Sequence, residues 1–202
     1  MRRIIFATKN QGKIAEIQEI MKELNLEILS LESAGIDTDI IENGSSFEEN
    51  AIIKVKEIMK LTNDIVMADD SGLEIDYLNG APGVYSSRFE GENTPYDIKN
   101  NKILSMLEGV PDEKRTARFV CVIAAGFPNG EIITTKGTIE GRIGYEIKGE
   151  NGFGYDPIFY VPEYNMTTAQ MSPQLKNQIS HRAKALNQMK AQLRIRLGEI
   201  LE

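Results

Sequence analysis

Acids, cations and flexible backbone are gathered at five places in this 202-residue chain, and each place suits a particular chemistry. In VMADDSGLEI, residues 66–75, an apolar run ends on two adjacent acids, Asp69 and Asp70, followed by Ser71 and Gly72. Adjacent acids repel each other and lose hydration when buried. Such a pair is either offset by a cation at the carboxyl end of a strand or is a plain turn, where Asp, Ser and Gly are common. The aspartates are adjacent rather than separated by one residue, which argues against a haloacid-dehalogenase-type phosphotransferase.

ATKNQGK, residues 7–13, is a loop between a strand and a helix. Free backbone N–H groups and the positive end of a helix dipole both favour phosphate. Lys13 adds a full charge, and Thr8 and Asn10 add hydrogen-bonding groups. It is not a Walker A loop, because Ala7 replaces the first glycine and Ile14 replaces the Ser or Thr after the lysine. The plainer reading is a capped helix with a solvated lysine. A third group of acids is Glu42, Glu48 and Glu49 near a helix start. Dipole complementation explains Glu49 best, while Glu42 has no evident structural reason.

GENGFGYDPIF, residues 149–159, joins flexible backbone, aromatics and a carboxylate. Pro157 takes the place of the third glycine of a dinucleotide fingerprint. Phe153 could stack on a base and Asp156 could read a base edge; a Gly-rich turn with core aromatics is the commoner origin of such a loop. In KNQISHRAKAL the only histidine, His181, stands beside Arg182 at a helix start, off the Ile179/Ala183 apolar face. With Lys176 these form a donor-rich group suited to an anionic or carbonyl-bearing ligand.

The elements that position these groups follow from periodicity. Ile4–Ala7 is a short strand, and Ile14, Ile17, Met21 and Leu24 recur at helical spacing after it. LEILSL is the next strand. Ser46 with Glu49 predicts a helix start, with Phe47, Ala51, Val55, Ile58 and Met59 as its buried stripe and Asn50, Lys54 and Glu57 on another face. DIVMA and LEIDYL read as two strands separated by DDSG. PYDIKNNKILSMLEG is a helix ended by Gly109, Asn129-Gly130 turns a long hairpin, DPIFYVP is a short strand, and Ile179 to Leu197 mark one long last helix. The expected fold class is α/β, a mixed twisted sheet with flanking helices and two lobes around a central cleft, in a single domain over 1–202.

A formal net charge of −7 argues against sequence-independent nucleic-acid binding. Cys121 is the single cysteine, so no internal disulfide is possible; its apolar surroundings read as a core thiol in a reducing compartment. The IIFAT run is too short for a secretory signal, and no run approaches the roughly 18 apolar residues of a membrane span. The expectation is a cytoplasmic protein with no nucleic-acid and no membrane partner.

TKNQGK, SFEENAIIKV, ADDSGLEID, GAPGVYSSRF, GFGYDPIF and ISHRAKAL occur in this order over nearly the whole chain. In these six motifs the sequence resembles the inosine triphosphate pyrophosphatase family, the non-canonical purine nucleoside triphosphate pyrophosphatases. The resemblance implies an ITPase-like two-lobed fold, a homodimer and Mg²⁺-dependent hydrolysis of ITP, dITP and XTP to the monophosphate and pyrophosphate. It assigns Thr8, Lys9, Asn10, Gln11, Gly12 and Lys13 to the substrate phosphates, with Asn50 and Lys54 nearby, and Ser71 to substrate contact. Glu42 and Asp70 become metal ligands, Asp70 the proton acceptor, and Asp69, Lys13 and Lys54 its catalytic neighbours. Phe153, Gly154, Tyr155, Asp156, Lys176, His181 and Arg182 become the nucleoside site, where donors from His181 and Arg182 would meet a purine 6-oxygen. Three places depart from the common pattern: Lys9 replaces a small residue, Ile41 replaces an acid before Glu42, and TTAQMSPQLK is less acidic than usual.

Two other classes are compatible with parts of this pattern. A Maf-type nucleotide pyrophosphatase shares the phosphate logic but lacks the GFGYD and SHR pair. A non-catalytic nucleotide sensor would have no need of Glu42, Asp70 and Lys13 together.

Overall fold

A computed structural model describes residues 2–24 and 26–198; Met1, Asn25 and 199–202 of the expected 1–202 domain lie outside the described residues. Strand β1 (Arg2–Phe6) leads through residues 7–10 into helix α1 (Gln11–Met21), and strand β2 (Leu26–Ser30) returns parallel to β1. Helix α2 (Phe47–Met59) precedes strand β3 (Ile65–Ile75), which pairs parallel with β1 on its other side. Helix α3 (Tyr96–Met106) leads to the long strands β4 (Thr116–Gly126) and β5 (Ile132–Ile143), joined at Asn129-Gly130 with Gly130 at φ +88°. Strands β6 (Phe159–Val161) and β7 (Met166–Thr167) complete an antiparallel edge, giving one mixed seven-stranded sheet in the order β2-β1-β3-β4-β5-β6-β7.

The chain divides into two compact units. The first comprises Met1–Asp70, Cys121–Gly137 and Arg182–Glu202; the second comprises Ser71–Val120 and Thr138–His181. Each has its own core. Ile4, Phe6, Ile17, Met67, Ile123 and Leu186 are among the buried residues of the first, and Leu73, Ile103, Phe119, Ile143, Phe159 and Met171 among those of the second.

Three sequence expectations are corrected. DDSG does not separate two strands. β3 runs unbroken through it, and Asp69 and Asp70 are 1% and 7% exposed within the strand. The turn comes later, as a 3-10 turn at Asp76–Leu78. The last helix is not continuous either: α4 (Pro173–Ile179) ends at Ser180, whose backbone is extended, and α5 (His181–Arg196) starts after it. Finally, DPIFYVP is a 3-10 turn over Asp156–Ile158 followed by the three residues of β6.

Local chemistry places the helix starts. Ser46 caps α2 by accepting from the Glu49 backbone N–H, as the box pattern requires. The Glu49 carboxylate reaches Ser45, backbone N at 2.6 Å and hydroxyl at 2.7 Å, instead of closing the box on Ser46. Asn50 and Lys54, expected away from the apolar stripe, are buried.

Candidate active site

In the first unit, the loop after β1 is built by its own side chains. Thr8 Oγ1 accepts from the Asn10 N–H at 3.1 Å, and Asn10 Oδ1 accepts from the Lys13 N–H at 3.1 Å, which caps α1. Gln11 and Gly12 form the first turn of α1 beyond this cap. Lys13 is not a solvated lysine: its ammonium lies 2.9 Å from Asp69 Oδ2 and 3.0 Å from Oδ1. The same Oδ2 accepts from Arg182 Nη2 at 3.1 Å, and Arg182 Nη1 donates to Glu16 at 2.6 Å. Both Asp69 oxygens therefore carry donors. Burial opposes the Asp69 charge, but Lys13, Arg182 and Lys54 outweigh it and hold the carboxyl well below the usual carboxylate range. Burial likewise opposes the Arg182 charge, and Asp69 and Glu16 reverse the effect and keep it protonated.

Asp70, one residue on, behaves in the opposite sense. It accepts from Asn50 Nδ2 at 3.1 Å and lies 3.5 Å from the Lys54 ammonium. Burial pushes its carboxyl up, and the Glu42 charge adds to that push, while Lys54, Asn50 and Lys13 only partly offset it. Lys54 also pairs with Glu42 at 3.2 Å, which gives Glu42 the structural partner that the sequence did not reveal. Burial works against the Lys54 charge too, but Asp70, Asp69 and Glu42 together raise its pKa. A cavity of about 240 Å³ is lined by Thr8, Lys9, Lys13, Glu42, Lys54 and Asp69, among others. Lys9 reaches the exposed Asp39 at 2.9 Å on its rim.

Glu42 and Asp70 both lie against one Lys54 ammonium, so two carboxylates converge on a common point. Magnesium is bound by one or two carboxylates and completes its octahedron with water and substrate phosphates, and this donor set fits that habit. It does not make an all-protein cage: among the described residues no group of three or more His, Cys, Asp or Glu could hold a metal.

The second unit contains a separate group. Asp156 Oδ2 accepts from the Lys176 ammonium at 2.7 Å and from the Phe153 N–H at 2.9 Å, and Oδ1 accepts from the Thr168 hydroxyl at 2.8 Å. Lys176 Nζ lies 4.8 Å from the centroid of the Phe153 ring. Gly152, at φ +74°, permits this hairpin of contacts, because a Cβ there would stand 2.1 Å from Asp156 Oδ2. The loop is braced from behind: Tyr155 donates to the Ser86 carbonyl at 2.7 Å, and Asn100 Nδ2 to the Gly154 carbonyl at 3.1 Å. Ser71, the first residue of this unit, is half-buried beside Asp70 in the chain.

The His181 and Arg182 expectations change. His181 is not on the surface; it is 6% exposed with its ring stacked 4.8 Å from that of Phe119. Arg182 follows it in sequence, is 2% exposed and holds Asp69 and Glu16 in the first unit, while Lys176 pairs with Asp156 in the second. Sequence reasoning missed Glu16, Thr168 and Asn100. Glu16 stands three residues after Lys13 on α1, a spacing that puts both on one helix face; Thr168 and Asn100 carried no such cue.

Comparison with known proteins agrees with the architecture. The Ham1 family model matches residues 4–192. A dITP/XTP pyrophosphatase of Desulforamulus reducens is 50% identical over 184 residues, covering 91% of this chain and 92% of that protein. One of Clostridium perfringens is 49% identical, covering 96% and 98%. Among solved structures, the Staphylococcus aureus Ham1 protein superposes with a TM-score of 0.86 at 44% identity, covering 98% of this chain and 100% of its own. With a family model spanning nearly the whole sequence and relatives near half identity, the chain belongs to the Ham1 family.

Proposed function

We propose that this protein is a nucleoside triphosphate pyrophosphatase that hydrolyses the non-canonical purine nucleotides dITP, ITP and XTP to the monophosphate and pyrophosphate. One observation carries the reading: a polar cavity at the carboxyl end of β1 where Lys13 and Lys54 stand beside Asp69 and Glu42, with Asp70 next in the chain. Lysines neutralise a polyphosphate, and a buried carboxylate activates water. The curated relatives, named dITP/XTP pyrophosphatases, supply the substrate class.

In this reading the residue 8–13 loop, the head of α1 and the ammonium groups of Lys13 and Lys54 receive the triphosphate. Mg²⁺, held by Glu42 and Asp70, would neutralise phosphate oxygens and act as a Lewis acid. Asp70 takes a proton from water, and burial suits it to that task by making its carboxylate more basic than usual. The water oxygen bonds to the α-phosphorus. The bond from that phosphorus to the bridging oxygen breaks, and pyrophosphate leaves with the electron pair. Asn50 fixes the Asp70 carboxylate, and Asp69 fixes Lys13. The family resemblance gives the base to Phe153, Asp156 and Lys176, and there an ammonium donor suits a purine 6-oxygen and opposes a 6-amino group. A homodimer and a cytoplasmic setting belong to the same reading through the family resemblance; no described helix is long and apolar enough to cross a membrane.

Product analysis with purified protein, Mg²⁺ and matched dITP, XTP, dATP and dGTP tests it. Pyrophosphate and monophosphate from dITP or XTP, with dATP nearly inert, is the expected result. Orthophosphate release would place the attack on another phosphorus, and no turnover of any of the four would overturn the reading.

A further inference from the structure

Thr168 lies outside every motif that carries the family resemblance, yet its hydroxyl is buried against the one carboxylate of the second unit's group. The residue is 2% exposed, and Oγ1 is 2.8 Å from Asp156 Oδ1 and 3.2 Å from the Asp156 carbonyl. Its turn is rigid. Thr167 and Gln170 form a reciprocal capping box around residues 168–170, and the Ala169 carbonyl accepts from the Asn151 N–H at 3.0 Å. Gly149 packs so closely that a Cβ there would stand 2.4 Å from the Ala169 backbone. The hydroxyl is thus presented to Asp156 by a braced scaffold and not by a mobile loop.

An ionised carboxylate is acceptor-only, with about four lone-pair sites. In Asp156, Oδ2 is taken by Lys176 and the Phe153 N–H, and Oδ1 by Thr168. Three of the carboxylate's roughly four acceptor sites are therefore taken, and what the group mainly offers a neighbouring base is donor character from Lys176. A base with a carbonyl finds a donor; a base with an exocyclic amine finds a single acceptor site left, on the oxygen that Thr168 already binds. We infer that Thr168 is a specificity-positioning residue: its hydroxyl takes one of the two acceptor sites of Asp156 Oδ1, which weakens pairing of the carboxylate with the exocyclic amine of adenine or guanine. This rests on the proposed pyrophosphatase activity.

The test is the ratio of kcat/KM for dITP to that for dATP and dGTP in wild type and in Thr168→Val, which keeps the shape and removes the hydroxyl. An acceptor freed in a buried site is worth about 1–3 kcal/mol to whichever donor reaches it, or roughly a 5- to 150-fold change. The ratio is expected to fall at least about fivefold for one amino-bearing substrate, through its KM, and Thr168→Ser, which restores the hydroxyl, is expected to recover it. If Thr168→Val does not fold, Thr168→Ala serves as the hydroxyl-free variant against the same serine control. Equal losses on all substrates, or an unchanged ratio, would make Thr168 a structural residue only and overturn the inference. A wild-type protein that releases no pyrophosphate from dITP overturns the parent reading, and this one with it, so the two failures are distinguishable.

Discussion

Both units bury a carboxylate against a lysine, but Asp156 is held closely and Asp70 loosely. In the second, Lys176 and Asp156 form a neutral pair whose carboxylate is hydrogen-bonded on both oxygens. In the first, Glu16, Glu42, Asp69 and Asp70 gather around Lys13, Lys54 and Arg182. The weaker hold falls on Asp70, 3.5 Å from Lys54 and buried, whose neighbour Asp69 takes two of the cations. Hence adjacent aspartates on one strand shift in opposite directions, Asp69 down and Asp70 up. A closed pair suits an uncharged base, whereas an open one suits a cation that arrives with its substrate. In the proposed pyrophosphatase reading, the difference separates a recognition group from a reactive one.

Replacing Asp70 strikes the open side of this comparison and gives the largest expected effect. Asp70→Asn should lower dITP turnover by about a hundredfold or more, the usual contribution of a general base. Its melting temperature without metal should equal or exceed that of wild type, because burial already disfavours the charge it removes. Pyrophosphate release and a thermal melt on one preparation check both halves. A variant that loses stability together with activity would mean that Asp70 is held in place as firmly as Asp69.

Arg182 tests the closed part of the first unit. Arg182→Met leaves the buried Asp69 and the half-buried Glu16 with one partner fewer. Removing one member of a buried ion pair costs about 3–5 kcal/mol, so the urea midpoint should drop sharply without a comparable change in slope. A loss under about 1 kcal/mol, the range of an exposed pair, would show that water reaches Asp69 and that its low pKa is maintained by solvent as well as by its partners.

Cys121 reports on the same interior without touching the site. It is fully buried, and burial, with the Asp69 charge adding to it, pushes its thiol up to about 12. The sign follows: the folded value lies above the unfolded value of about 8.5, so the fold keeps its full stability below pH 8.5 and loses the thiol's contribution as pH rises through the folded value. At pH 8 the native thiol should react with iodoacetamide far more slowly than the urea-unfolded chain, since burial both suppresses the reactive thiolate and bars the reagent. Mass spectrometry of labelling over time measures the ratio. Comparable rates would mean that the core beneath Asp69 opens readily.

These contrasts mark what the sequence shows of the fold and what it conceals. The strand–loop–helix start, the capped α2 and the Asn129-Gly130 hairpin are written in local chemistry, and all three are present. The continuous β3 was not legible. Two acids inside a buried strand make sense only with compensating cations, and those lie 56 residues away at Lys13 and 113 away at Arg182. The break at Ser180 was missed for a related reason. Ile179 and Ala183 keep helical spacing across it, so periodicity runs through, and only the capping preference of serine marked the stop. In the site, residue types were legible from the motifs, but partners were not. Nothing in linear order assigns Arg182 to Asp69 or Thr168 to Asp156.

Lys9 supplies the smallest expected effect, at the outer edge of the open group. Its ammonium lines the cavity yet is spent on Asp39, which is almost fully exposed, so a triphosphate would have to take it from a competing carboxylate in water. Asp39 raises the Lys9 pKa, and the charge is present throughout the neutral range. An exposed pair of this kind adds little to folding, and long-range attraction between exposed charges is screened within about 8 Å at physiological salt. Lys9→Ala should therefore leave the melting temperature unchanged and raise KM for dITP modestly with kcat intact, and the KM difference should shrink as salt is added. Asp39→Asn should do the reverse and lower KM, by releasing the lysine. Steady-state kinetics at low and high ionic strength separates these outcomes. A fall in kcat for Lys9→Ala would place its ammonium on the reacting phosphate and move the boundary of the open group outward to include it.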